Sequence, residues 1–325
     1  MNIEIIAEIA QGFEGKPEQS RLLIKAASAA GANAVKFQLV YADELATPDY
    51  KYYELFRSLE MEDSVWEKLA GHAKELGIEL YVDIFGSRSL QLAEKLGIST
   101  IKLHGTDIAN IGLLEEVASS RVPNVILGAG GAFLNELDGA VGILSGKKVV
   151  MLLGFQGYPT PNEANHISRI PLLIDRYKDN KRSVVIGFAD HATPESQLRY
   201  ALAVTAVGSG ARVIEKHLTL GQVMKLEDYE SALNPDEFAE FSSIIRGCAE
   251  AYGKSSEALD FGMSESEKAY RKMIRRHVIA IRDLPSGSRL KPVDVTLKRS
   301  SLEDVITEID QVYDKTLIND VKKNI

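Results

Sequence analysis

The sequence predicts an α/β fold, a (β/α)8 TIM barrel with a small β-rich domain after it. Three observations carry that expectation. Short β-branched runs alternate with longer amphipathic stretches; eight such runs fall within about 220 residues; and the G-x-G-x-x-G fingerprint of the rival doubly wound sheet is missing after the first run. The 325 residues are 45% hydrophobic and 26% charged, a globular mixture that argues against wholesale disorder. A single cysteine, Cys248, excludes a disulfide framework within the chain. No apolar run approaches the roughly 18 residues of a membrane span, and the opening MNIEIIAEIAQGFEG lacks the basic and long apolar regions of a signal peptide. The formal charge of −8 disfavours nucleic acid as a partner. A cytoplasmic enzyme with no membrane partner is the expectation.

The expected strands are Ile3–Glu8, Asn33–Gln38, Glu79–Phe85, Thr100–Leu103, Asn124–Leu127, Lys148–Leu153, Ser183–Gly187 and Ala211–His217. They are short runs with β-branched residues, as strands have. Helical patterns such as PEQSRLLIKAASAAGA and DSVWEKLAGHAKELG lie between them, and several such patterns end in Gly, the usual residue just past a helix. NPDEFAEFSSIIRGCAEAYG reads as one more amphipathic helix, which completes a barrel domain over 1–253. Residues 254–276 are polar and read as a linker with a helical end. From His277 to residue 325, short apolar runs around a Pro-Ser-Gly turn suggest a β-rich domain too small to bury a sizeable core alone.

In such a barrel the chemistry sits at the C-terminal ends of the strands. Those ends carry Glu8, Lys36 and Gln38, Asp83, Lys102, Asp190-His191, and Glu215-Lys216-His217. Alternation places Lys36 with Gln38, and Glu215 with His217, on one side of their strands. Polar groups facing a barrel lumen are costly unless they serve a ligand or pair with each other. His191 and His217 come from adjacent strands and suit a divalent metal, Mn²⁺ or Zn²⁺, with Co²⁺ or Mg²⁺ also open; the plainer reading is a pair of core histidines. Lys36 and Lys102 offer cations to a carboxylate or phosphate, or else pair internally with Glu8 or Asp83. His104, just after Lys102, is placed to line the site. The glycine-rich LGAGGA, from Leu127, either presents bare N–H groups around Gly128 to an anion or is a tight turn. Tyr158 in YPTP either meets a substrate or packs.

EIIAEIAQGFEG, AGANAVKFQ, TIKLHGTDIANIGLLEEVA, YPTP, FADHAT, IEKHLTL and LNPDEF, in this order over nearly the whole chain, resemble the sialic acid synthase family. The resemblance implies a C–C bond-forming transferase that condenses phosphoenolpyruvate with an N-acetylhexosamine-type sugar to a nonulosonic acid, releasing phosphate. It implies a TIM barrel with a C-terminal antifreeze-like (SAF) domain and a domain-swapped homodimer. Residue by residue it implies a metal on His191 and His217, catalytic Glu8, polar active-site roles for Lys36, Gln38 and Lys102, sugar contacts from Tyr158, Glu215 and Asp228, and an Arg299 that reaches a neighbouring subunit's site.

The pattern departs in one region. Gly12-Phe13-Glu14-Gly15 replaces Asn-His-Asn-Gly, Asp83 a threonine, Gly105 and Gly128 serines, Gln156 an asparagine and Ala189 a serine. These positions gather around the phosphate in the family, so weak binding of phosphoenolpyruvate is expected, and a metal-dependent aldolase or isomerase on the same scaffold, or a non-catalytic sugar-binding homologue, is the alternative. The stretch 271–299 holds nine Lys and Arg. With almost no aromatic interleaving, it fits anionic small ligands better than nucleic acid.

Overall fold

The structure, a computed structural model, describes residues 2–154, 157–178, 184–253, 256, 258–302 and 305–325. They form two compact units, 1–253 and 254–325.

The first unit is a closed parallel barrel. Its strands are β1 (Glu4–Ala10), β2 (Ala34–Gln38), β3 (Glu79–Asp83), β4 (Thr100–Leu103), β5 (Asn124–Gly128), β6 (Lys148–Leu153), β7 (Val184–Asp190) and β8 (Val213–Leu218). They pair in chain order, and β8 closes on β1. The expected β7 is corrected at its far end, which runs to Asp190 because Asp190 is still in register with Lys216 of β8. Its expected first residue, Ser183, lies outside the described residues. A two-residue strand, β9 (Ala232–Leu233), adds to β8 beside His217 and Leu218.

Alternation divides each strand between two apolar layers. Outward residues such as Ile5, Phe37, Val82, Leu127, Phe188 and Ile214 meet the surrounding helices in one large core. Inward residues Ile6, Ala34, Tyr81, Ile126, Leu152, Ala189 and Val213 fill the lumen. The lumen plug leaves the layer above it, toward the strand C-termini, to polar side chains. The helices present stripes at helical spacing. Pro17–Ala29, with Pro at its first position, buries Leu23, Ile24 and Ala27. Pro235–Tyr252 buries Phe238, Phe241, Ile245 and Ala249, and Glu237 accepts from the Asn234 N–H at 2.9 Å as its capping box.

The second unit holds a helix, Glu265–Ile274, and the antiparallel pair β10 (His277–Ala280) and β11 (Val295–Lys298). Its core is small: Ala280, Leu284, Leu290, Val295 and Val312.

Candidate active site

Register brings the polar residues of the lumen together. Glu8 is opposite Lys36 on one side and His217 on the other. Asp83 is opposite Gln38 and Lys102. Between Glu8 and Ala10 the β1 ladder shifts, and Ala10 takes φ 48°. The bulge turns the Glu8 carboxylate back so that its Oε1 accepts from the Ala10 N–H at 2.7 Å.

The charged groups pair across strands. Lys36, with no exposed surface, forms ion pairs with Glu8 and with Asp83 Oδ1, the latter at 2.6 Å, and lies 3.5 Å from Glu215. Lys102 donates to Glu215 Oε1 at 2.7 Å and stands 3.8 Å from Glu8. The second Asp83 oxygen meets His104 Nε2 at 2.7 Å. Gln38 accepts from Gln11 at 3.0 Å. The internal pairing of the two lysines is therefore what the structure holds.

Burial sets the protonation states. It pushes the Glu8 carboxyl up to about 8, against the opposing pull of Lys36. Burial alone would raise Asp83 too, but Lys36 and Lys102, with His104, hold it well below the carboxylate range. Glu215 is lowered as well, since Lys102 and Lys36 outweigh its burial. Lys36 is raised well above the ordinary lysine range because the carboxylates beside it, Asp83 and Glu215 foremost, overcome its desolvation.

Beside this cluster stand two imidazoles. His191 and His217 have ring centroids 5.3 Å apart, and Tyr158 packs edge-on at 4.9 and 5.4 Å from them. Burial, reinforced by His191 and the nearby lysines, holds His217 well below the ordinary histidine range, so it is neutral. The Thr160 N–H and the Ser231 hydroxyl both donate to the His191 carbonyl at 3.0 Å, which fixes the β7 exit. Two adjacent imidazoles, one of them held neutral, fit a divalent ion in donor chemistry. Among the described residues, no group of three or more His, Cys, Asp or Glu side chains is arranged around a metal, so any ion there takes its remaining ligands from elsewhere.

Lys216, named from sequence only as a strand-end residue, has a partner of its own. Alternation turns it away from the lumen, where it donates to Asp190 Oδ1 at 3.1 Å and to the Ala192 carbonyl at 2.8 Å. A lysine in an otherwise apolar outward row was the available signal. Asp228 is half-buried at φ 63°, and burial raises its carboxyl to about 6. Arg299 lies in the second unit, exposed, one residue past β11.

The departures from the pattern have a physical basis. Phe13 is fully buried and meets Phe37 and Trp66 edge to face. A Cβ on Gly105 would stand 2.4 Å from the Gly130 carbonyl oxygen, and one on Gly128 2.9 Å from the Gly105 nitrogen. The turns after β4 and β5 thus pack backbone to backbone where side-chain hydroxyls were expected in the resembled pattern. Together with Lys102, Gly154, Ala189 and His191 they line a small cavity. Gln156 lies outside the described residues.

The model of the NeuB family matches residues 23–257. The chain belongs to the NeuB family. It is 26% identical to the N,N'-diacetyllegionaminic acid synthase of Legionella pneumophila, over 98% of this chain and 91% of that one. Among solved structures it is similar to a putative spore coat polysaccharide biosynthesis protein E from Chromobacterium violaceum, with TM-score 0.82, 25% identity and coverage of 100% and 97% of the two chains. It is also similar to the N-acetylneuraminic acid synthetase of Leptospira borgpetersenii, with TM-score 0.75, 26% identity and coverage of 85% and 93%. The NeuB relatives named for an activity are sugar-acid synthases, and this chain has the parallel barrel of that family.

Proposed function

We propose that this NeuB-family chain is a synthase that joins a three-carbon donor to the open-chain aldehyde of an N-acetylhexosamine-type sugar, giving a nonulosonic acid. The observation that carries the reading is the convergence, in one lumen layer, of the buried Glu8 carboxyl, two buried lysines and the His191–His217 pair. In the family reading the donor is phosphoenolpyruvate. Its carbon 3 attacks the aldehyde carbon, water adds at carbon 2, and phosphate leaves. Lys36, Lys102 and Gln38 hold the anionic donor, Glu8 gives and takes protons on the donor side, and Tyr158, Glu215 and Asp228 orient the sugar. His191 and His217 would hold a divalent ion, which supplies Lewis-acid polarisation of a carbonyl when bound. Arg299 would act in a partner's site within a homodimer.

One observation favours a second reading, an aldolase or isomerase that uses no phosphoenolpyruvate: Asp83 already occupies Lys36, and Glu215 occupies Lys102. Incubating the enzyme, loaded with Mn²⁺, with phosphoenolpyruvate and a panel of 2-acetamido sugars decides between them. Sugar-dependent phosphate release supports the synthase, and its absence with every sugar supports the second reading. Calorimetric titration adds a finer test. Asp83→Thr is expected to bind phosphoenolpyruvate more tightly than the parent, because it frees Lys36 and removes a carboxylate.

A further inference from the structure

We propose that Lys216, through its buried pair with Asp190, is a positioning residue that presets the His191–His217 pair for a divalent ion. The inference rests on the metal reading above, which names the two histidines alone.

The need for such a residue follows from where the ladder stops. The register between β7 and β8 ends at Asp190 opposite Lys216. His217 lies within β8 and is held on its other side by Glu8 of β1. His191 stands one residue past the end of β7, where no pairing with β8 fixes it. Its backbone has to be tied to β8 in another way.

Lys216 supplies that tie. Its Nζ donates to Asp190 Oδ1 at 3.1 Å and to the Ala192 carbonyl at 2.8 Å. The same Asp190 oxygen accepts from the Ala192 N–H at 2.8 Å. The residue before His191 and the residue after it are thus both bound to one ammonium group, and that group belongs to the residue before His217. The His191 carbonyl is held separately, by the Thr160 N–H and the Ser231 hydroxyl. Alternation keeps the ammonium and the carboxylate behind the barrel wall while the two imidazoles meet with ring centroids 5.3 Å apart.

Stability alone is a poor account of this pair. Both side chains are 0% exposed, and Asp190 Oδ2 has no hydrogen-bond partner among the described residues. Desolvation on this scale offsets most of the attraction between the charges, and apolar residues of similar volume often serve stability equally well. What an apolar pair lacks is a donor aimed at the Ala192 carbonyl. The distinctive contribution of Lys216 is therefore geometric. Groups that orient metal ligands from behind typically change affinity 10–100-fold.

The test measures Mn²⁺ binding to the metal-free full chain, from the electron paramagnetic resonance signal of free Mn²⁺, beside urea melts. Lys216→Met leaves the Asp190 carboxylate buried without its cation. It should lower the urea midpoint and raise the Mn²⁺ Kd by about 10-fold or more. The double variant Asp190→Asn, Lys216→Met removes both charges at nearly constant shape and keeps an acceptor for the Ala192 N–H. Its midpoint should return most of the way to that of the parent while its Kd stays raised. A double variant that regains the parent Kd together with the midpoint shows that the pair acts through stability alone, and overturns the positioning role. So does a folded Lys216→Met that binds Mn²⁺ as tightly as the parent. A parent that takes up no Mn²⁺ in this titration, and no Zn²⁺ by elemental analysis, overturns the metal reading and the role of Lys216 with it.

Discussion

Asp83 is the residue on which most turns. Read as sequence, it was an added charge among lost hydroxyls, and that much was legible. Its two partners were not, because alternation gives the face of a strand but not which of several lysines and histidines on that face will meet. Its pairing also fixes a pH dependence. The folded carboxyl lies well below the roughly 3.9 of an unfolded aspartate. The stabilisation is therefore complete above that unfolded value and is lost as pH falls through the folded one. Asp83→Asn, which strips a buried ion pair of one partner, should cost about 3–5 kcal/mol at neutral pH. In urea melts from pH 7 to pH 2, the gap between parent and variant should hold down to about pH 4 and narrow below it; a gap that stays constant throughout would mean that the charge on Asp83 contributes nothing. The paired histidines carry a second expectation at this scale. Replacing His191 and His217 together with alanine should remove most bound Mn²⁺ or Zn²⁺ from purified protein, read by elemental analysis, with the circular dichroism spectrum preserved. Equal metal content in both proteins refutes that assignment.

At the scale of elements, the eight strands and their order were readable because each is a short apolar run between helical patterns. Strand ends were read less well, since β7 continues on the strength of its ladder to β8 rather than on its own composition. The turns after β4 and β5 show another limit. Their glycines suggested either an anion cradle or a tight bend, and the choice depends on how closely two separate turns approach. They meet backbone to backbone, with only 2.4 Å between a notional Gly105 Cβ and the Gly130 oxygen. Gly105→Ser should therefore not simply return a hydroxyl donor to the site. It should lower stability by about 1–3 kcal/mol through overpacking, seen as a lower urea midpoint at unchanged slope. A variant as stable as the parent would show that the two turns separate easily.

For the whole molecule, the sequence indicated a large barrel followed by a small β-rich region, and a division falls at Gly253. The role of the second part was legible only through Arg299, by resemblance. Among the described residues, the buried apolar cluster of this unit holds five side chains, which is thin for an independent domain. If the sites are shared between subunits, Arg299→Ala and Glu8→Ala proteins, each inactive alone, should regain activity when co-assembled, since one site of the hybrid then has both groups. Co-purification through two different tags establishes the hybrid. An inactive hybrid argues against a shared site.

The ion-pair cluster has a consequence for how substrate arrives. Lys36 and Lys102 balance Asp83 and Glu215, and burial raises the Glu8 carboxyl beside them. The cluster therefore carries no net positive charge, inside a chain of formal charge −8. Without a bound metal, such a cluster casts little attractive field, and an approaching anion senses chiefly the net negative charge of the chain. Added salt, which shortens the reach of that charge to about 10 Å at 0.1 M, should therefore quicken the encounter of the metal-free protein with an anionic donor, the reverse of what a cationic funnel would produce.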